Sequence, residues 1–137
     1  MKLFLSSTGI SPELLPHFLT LVGKKAEEIR FALIENAADP YPDHEKGFVT
    51  ETRSEFESLG MQITLIDLHK YEHHPEQLSA ILKDFNVVWV GGGNVYYLRW
   101  LMKVSGFDTI IEQLLEKGLV YGGGSAGSIV TCPVLDA

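Results

Sequence analysis

Cysteine is almost absent from this chain of 137 residues, and Cys132 stands alone. A single cysteine excludes an internal disulfide and a multi-cysteine metal cluster, and it suits a reducing cytoplasm. Positive charge is also scarce: 11 Lys and Arg against 18 Asp and Glu give a net charge of -7. That balance argues against nucleic acid or an anionic membrane as a partner held by bulk charge. No apolar run approaches the ~20 residues of a membrane-spanning helix. The opening MKLFLSS has too short an apolar stretch for a signal-peptide core and reads as a first buried strand. Internal repeats, low-complexity tracts and charge blocks are missing too. The length predicts one domain over residues 1–137, able to remove roughly two thirds of its unfolded surface from water.

What is present is an alternation of short apolar runs and amphipathic stretches. Lys2 to Leu5, Ile29 to Ile34, Ile63 to Leu68, Asn86 to Val90 and Leu119 to Tyr121 read as strands, apolar on both faces. Helices are expected between them. The first starts at Ser11-Pro12-Glu13 and runs to about Leu21, stopped by Gly23. A second spans Glu45 to Leu59 and ends at Gly60, with Phe48, Thr52, Phe56 and Leu59 along one face. Others carry Leu78, Ile81 and Leu82, then Val95, Leu98, Leu101 and Met102, then Phe107 to Lys117, and a last one begins at Ser125. The paired prolines in Asp39-Pro40-Tyr41-Pro42-Asp43 mark a surface loop. Strands alternating with helices predict an α/β fold, a three-layer α/β/α sandwich around a mostly parallel sheet.

In such a sheet ligands bind beyond the carboxyl ends of the strands. Three loops there are rich in small residues: Ser6-Ser7-Thr8-Gly9, Gly91-Gly92-Gly93-Asn94 and Gly122-Gly123-Gly124-Ser125. In the last, a serine flanked by glycines after a strand and before a helix has the layout of a nucleophile elbow. Ser125 is the candidate nucleophile for acyl transfer. Ala126 N–H is one candidate oxyanion donor, and Gly92 or Gly93 supplies the other, each donor worth about 3–4 kcal/mol of barrier. Asn94 is placed against substrate. The same glycines could instead serve strand-to-helix geometry, with Ser125 as a helix cap, or cradle a phosphate. No Walker lysine follows either turn, and neither has the full G-x-G-x-x-G.

A base is harder to find. His17, His44, His69, His73 and His74 all precede Ser125, and only 12 residues follow it. His69 follows a strand ending at the same rim and is a candidate base. His73-His74 could suggest a metal but reads as solvated surface, and neither metal nor cofactor is expected. Cys132 reads as apolar filler. Asp136 could be a carboxylate partner by chain order, although a frayed end is the default there. Tyr96, Tyr97 and Arg99 line a pocket or simply pack.

These residues resemble the dipeptidase E (aspartyl dipeptidase) and cyanophycinase family of serine peptidases. The likeness rests on Leu3-Phe4-Leu5-Ser6-Ser7, on Val88-Trp89-Val90-Gly91-Gly92-Gly93-Asn94 with Tyr97-Leu98, and on Gly122-Gly123-Gly124-Ser125-Ala126-Gly127-Ser128. The resemblance implies a fold related to class I glutamine amidotransferases, with serine in place of their cysteine. It implies hydrolysis of short peptides, in the type enzyme dipeptides with N-terminal aspartate, through an acyl-Ser125 intermediate. It makes the Gly91–Asn94 turn and Ala126 the oxyanion hole. Members continue past the elbow, where their triad histidine and acidic partner lie. Ile129-Val130-Thr131-Cys132-Pro133 still matches, so the chain is expected to be the N-terminal, nucleophile-bearing part of such a fold, cut short at Ala137. On its own it should be nearly inactive unless a partner chain or an upstream histidine supplies the base. The alternatives are an inactive homologue acting as a binding module and an anion- or nucleotide-binding domain. A truncated sheet would expose apolar surface and favour self-association, in its simplest form a homodimer.

Overall fold

A computed structural model describes residues 2–6 and 9–130. Ser7, Thr8, Cys132, Asp136 and the stretch Thr131 to Pro133, all singled out in the sequence, lie outside the described residues. Five strands, β1 (Lys2–Ser6), β2 (Arg30–Ile34), β3 (Gln62–Leu65), β4 (Val87–Val90) and β5 (Val120–Gly124), form one sheet in the order β1-β5-β4-β2-β3. Every neighbouring pair is parallel. Between and after them run helices α1 (Leu15–Val22), α2 (Gly47–Ser58), α3 (Pro75–Leu82), α4 (Val95–Ser105), α5 (Phe107–Glu116) and the short α6 (Ala126–Ile129). Because all strands point the same way, their C-terminal ends share one rim. That rim carries Ser6, Glu35, Asp67, Gly91 and Ser125.

Side-chain alternation along the strands feeds two cores, one on each face of the sheet. Ala32, Ile34, Val88, Val90 and Tyr121 face a layer of α3, α4, α5 and α6, meeting Leu78, Leu98, Leu101, Phe107 and Ile110. Phe31, Leu33, Val87, Trp89 and Val120 face the other way, against Phe18 of α1 and Phe56 of α2. The architecture is thus the expected α/β/α sandwich. Burial on both faces holds for the central strands β2, β4 and β5. It does not hold for the edge strands, where Leu3, Leu5 and Leu65 are 41%, 46% and 48% exposed. An edge strand has one sheet neighbour, so less helix lies over it.

Several elements differ from the sequence reading, and β3 ends at Leu65 instead of Leu68. β5 does not end at Tyr121. Gly122, Gly123 and Gly124 continue it, paired with Phe4, Leu5 and Ser6 of β1, and all three are buried. Their amides are therefore sheet, not loop, which removes them from any phosphate cradle. The first helix starts one turn late: Ser11 C=O accepts from Leu14 and Leu15 N–H in a preceding turn, and Gly23 ends the helix as expected. On α2 only Phe56 of the proposed apolar face is fully buried. Phe48 is 38% exposed and rests on the Tyr41 ring.

Trp89 is the largest fully buried side chain, ringed by Phe4, Phe18, Phe31 and Phe56 at centroid distances of 6.0, 6.4, 6.2 and 5.0 Å. Its Nε1 has no hydrogen-bond partner among the described residues, so it contributes volume and dispersion and no polar tie. Trp89→Ala should lower stability by about 3–5 kcal/mol. Trp89→Phe, which keeps an aromatic ring and leaves a smaller cavity, should cost less, about 1–3 kcal/mol. Urea denaturation of the two variants checks the pair.

Candidate active site

Ser125 occupies the single residue between β5 and α6, and its backbone is forced into φ 52°, ψ -112°. Side chains rarely adopt that region, and holding one there costs of order 1–3 kcal/mol. Several hydrogen bonds over-determine it. Ser125 N–H donates to Ser6 C=O at 3.1 Å, and Ser128 N–H donates to Ser125 C=O at 3.0 Å. The Ser128 hydroxyl sits between Ser6 C=O at 2.7 Å and Gly123 C=O at 2.5 Å, and it accepts from Ser6 N–H at 3.2 Å. Tyr121 donates its phenolic proton to Gly127 C=O at 2.7 Å. Burial pushes the Tyr121 phenol far above its usual range, so it remains a neutral donor. Ser125 itself is exposed. Its Oγ has no hydrogen-bond partner among the described residues.

The second wall is the turn after β4. Gly91 N–H donates to Ile34 C=O at 2.9 Å and Asn94 N–H to Ala37 C=O at 2.7 Å. Gly92 and Gly93 lie between these two anchors, and their N–H groups take no acceptor among the described residues. Gly93 has φ 148°, and a Cβ there would lie 2.1 Å from Ala37 O, so only glycine fits. At Gly92 a Cβ would lie 3.1 Å from Ser125 Cβ and 3.5 Å from its Oγ. The two glycine-rich turns singled out in the sequence are thus in direct apposition. Ala126 is the first residue of α6, so its N–H has no intrahelical acceptor. Asn94 caps α4, its Oδ1 accepting from Tyr97 N–H at 2.9 Å.

The histidines do not join this pair. His17, His44, His73 and His74 are exposed. His69 is held in a separate cluster on the same rim. Its Nδ1 faces Glu72 Oε2 at 3.0 Å, and its Nε2 faces the Tyr97 hydroxyl and Asp39 Oδ2 at 3.0 Å. Tyr97 O–H donates to Asp39 Oδ2 at 3.0 Å. Asn36 Nδ2 donates to Asp39 at 2.9 Å and to Asp67 at 3.0 Å. The bond to Glu72, opposed by partial burial and helped by Asp39 and Asp67, raises the His69 pKa above its ordinary value. Partial burial and the Asp39 contact push the Tyr97 phenol well above its own.

Sequence reasoning singled out His69 and Tyr97 one by one but not their contact, and it missed Asn36, Asp39 and Glu72. No spacing signal links positions 36–39, 67–72 and 97; only the parallel sheet brings them to one rim. Arg99, the other residue noted there, donates to Val130 C=O at 2.8 Å, tying α4 to the end of α6. Next to the His69 cluster a cavity of about 670 Å³ opens between the ends of β2 and β3, lined by Glu35, Asn36, Asp39, Thr64, Asp67, His69, Lys70, Tyr71 and apolar neighbours. Among the described residues no group of three or more His, Cys, Asp or Glu is arranged to hold a metal, and no helix is long and apolar enough to cross a membrane.

The backbone strain at position 125 is testable without any substrate. Ser125→Gly relieves the positive φ and Ser125→Ala does not. The glycine variant should therefore be the more stable of the two by about 1 kcal/mol, read from their denaturation midpoints.

The chain is similar to peptidases throughout its length. It is 28% identical over 142 residues to peptidase E of Nostoc sp., covering 98% of this chain and 53% of that protein. With peptidase E of Escherichia coli it is 27% identical over 143 residues, covering 98% and 57%. A shorter match, 28% over 86 residues, links it to an uncharacterized peptidase of Listeria innocua, covering 63% of this chain and 40% of the relative. Among solved structures, a protein described as a candidate peptidase E of Listeria monocytogenes superimposes with a TM-score of 0.80 at 25% identity, over 97% of this chain and 63% of its own. The chain spans about half the length of the relatives it matches. The description of peptidase family S51 matches residues 3–137, and the chain belongs to that family.

Proposed function

We propose that this chain carries the nucleophile and oxyanion-binding part of a serine-type peptidase acting on short peptides. The observation that carries the reading is the apposition of an exposed, strained Ser125 and the Gly92 backbone, so close that a Cβ added to Gly92 would lie only 3.5 Å from the serine Oγ. Ser125 Oγ attacks the scissile carbonyl carbon as its proton passes to a base. The resulting oxyanion takes hydrogen bonds from the N–H of Ala126 and of Gly92 or Gly93, donors that have no other acceptor among the described residues. The C–N bond then breaks, the amine leaves with a proton, and water releases the acyl group from Ser125. Asn94, at the end of the same turn, is assigned to the bound peptide, although its Oδ1 caps α4. The base is assigned to no described residue, since His69 is committed elsewhere and the remaining histidines face solvent. The preference for Asp-X dipeptides rests on the family likeness, and a cytoplasmic location on the single cysteine.

A fluorophosphonate probe should label the protein at Ser125, located by peptide mass mapping, and the label should vanish in Ser125→Ala. If the chain hydrolyses Asp-X dipeptides, the same variant should lose about 10³-fold or more of the rate. Labelling or turnover that survives Ser125→Ala overturns the assignment.

A second reading is a binding module that keeps the pocket without the proton-transfer machinery. It expects saturable dipeptide binding by calorimetry with no turnover and no labelling.

A further inference from the structure

The cluster around His69 has no part in the reaction above, yet it touches the turn that does. Tyr97 is bound at both ends. Its N–H donates to Asn94 Oδ1 at 2.9 Å, and its hydroxyl bonds Asp39 and His69. The segment 36–39 holds the same turn from the other side. Ala37 C=O accepts from Asn94 N–H at 2.7 Å and abuts Gly93, and Asp39 takes the Tyr97 proton. One closed loop of contacts therefore runs Asn94, Tyr97, Asp39, Ala37 and back to Asn94. It closes on the turn whose Gly92 faces Ser125.

The protons in this loop can be counted. Tyr97 donates its only hydroxyl proton to Asp39, so its oxygen is left as an acceptor toward His69 Nε2. His69 Nδ1 faces the Glu72 carboxylate, which when ionised is also an acceptor. Both ring nitrogens face acceptors, so the ring satisfies all its contacts only as the imidazolium, with a proton on each nitrogen. A neutral ring must give up one bond. If it keeps Nδ1–H for Glu72, its bare Nε2 competes with Asp39 for the Tyr97 proton.

We propose that Tyr97 is a positioning residue for the Gly91–Asn94 turn, with the Asp39–His69–Glu72 group as a protonation-dependent clamp that fixes the placement of the Gly92 and Gly93 donors relative to Ser125. The catalytic part of this inference rests on the reading of Ser125 and those donors given above. The groups facing His69 are Glu72 on its own 3-10 turn, Asp67 at the start of that turn, Asp39 after β2 and Tyr97 on α4. The carboxylates favour the charged ring, in keeping with its raised pKa. The clamp is therefore complete below the ordinary histidine pKa and loosens as pH rises through the higher value of the folded protein.

Two measurements on the intact protein test this. The first needs no activity. In a ¹H–¹⁵N NMR pH titration, the Gly92 and Gly93 amides should shift with the same midpoint as the His69 ring protons. Tyr97→Phe keeps the ring and removes the hydroxyl, and it should abolish that shared titration and raise Asn94 amide exchange about tenfold. Gly92 and Gly93 amides that ignore the His69 titration in the wild type, or respond identically in Tyr97→Phe, overturn the proposal. The second is the rate of fluorophosphonate labelling at Ser125, expected to fall about tenfold in Tyr97→Phe and to decline toward high pH in the wild type relative to that variant. An unchanged rate in Tyr97→Phe overturns the catalytic part. A wild-type protein that is not labelled at all counts against the reading of Ser125, and the NMR titration then decides the clamp by itself.

Discussion

The site depends on how closely α6 lies against the sheet. A Cβ on Gly127 would fall 1.9 Å from Val90 O, and one on Gly123 would fall 2.6 Å from the Gly127 carbonyl carbon. Backbone meets backbone there, with no room for a side chain between. A chain that leaves β5 and must seat α6 so close has one residue in which to reverse direction. That residue is Ser125, and its positive φ is the geometric result. The same reversal turns its side chain out of the packed layer, which is why Ser125 is exposed while Gly124 and Ala126 on either side are buried.

The glycine-rich stretch before Ser125 therefore has more to do with packing than with ligand approach. At Gly122 a Cβ would lie 2.0 Å from Cε3 of the Trp89 ring, so this glycine makes room for the largest side chain of the core. Gly123 makes room for α6. The strain this leaves at Ser125 is of order 1–3 kcal/mol. It is opposed by the bonds from Ser125 N–H, Ser128 N–H and the Tyr121 hydroxyl, each worth about 1 kcal/mol net. The buried tyrosine bond differs in kind, because it ties a core side chain of β5 to the backbone of α6.

Much of this was legible in the sequence, and for a physical reason. Central parallel strands are buried on both faces, so β2 and β4 appear as unbroken apolar runs, and glycine after β4 punctuates the chain sharply. The apposition of Ser125 with the Gly91–Asn94 turn followed from placing both at carboxyl ends of parallel strands. Other features were hidden. Gly122 to Gly124 carry no side chain to announce β5, and their pairing with β1 is a contact across more than a hundred residues. Phe48 fits the helical spacing of α2, but spacing cannot say where a layer ends, and Phe48 lies beyond it. The Asp39, His69 and Tyr97 contacts depend on side chains from three separate segments, the stretch after β2, the turn after β3 and the first turn of α4, each with an ordinary local sequence.

Sheet geometry also sets the distance between the two halves of the site. Gly91 follows Val90 directly and Ser125 follows Gly124, and β4 and β5 are neighbours with Val90 paired to Gly123. Adjacent strands lie about 4.8 Å apart, so the turn and the serine begin one strand spacing from each other before any side chain intervenes. That spacing is fixed by ladder hydrogen bonds in the middle of the sheet, the part least prone to local opening. What remains adjustable is the path of the turn beyond Gly91, where the backbone leaves the ladder. Its anchors past that point, among the described residues, come from the 36–39 segment and from the start of α4. The strands thus fix how far apart Ser125 and the turn stand, and contacts outside the sheet hold the turn that carries Gly92 and Gly93.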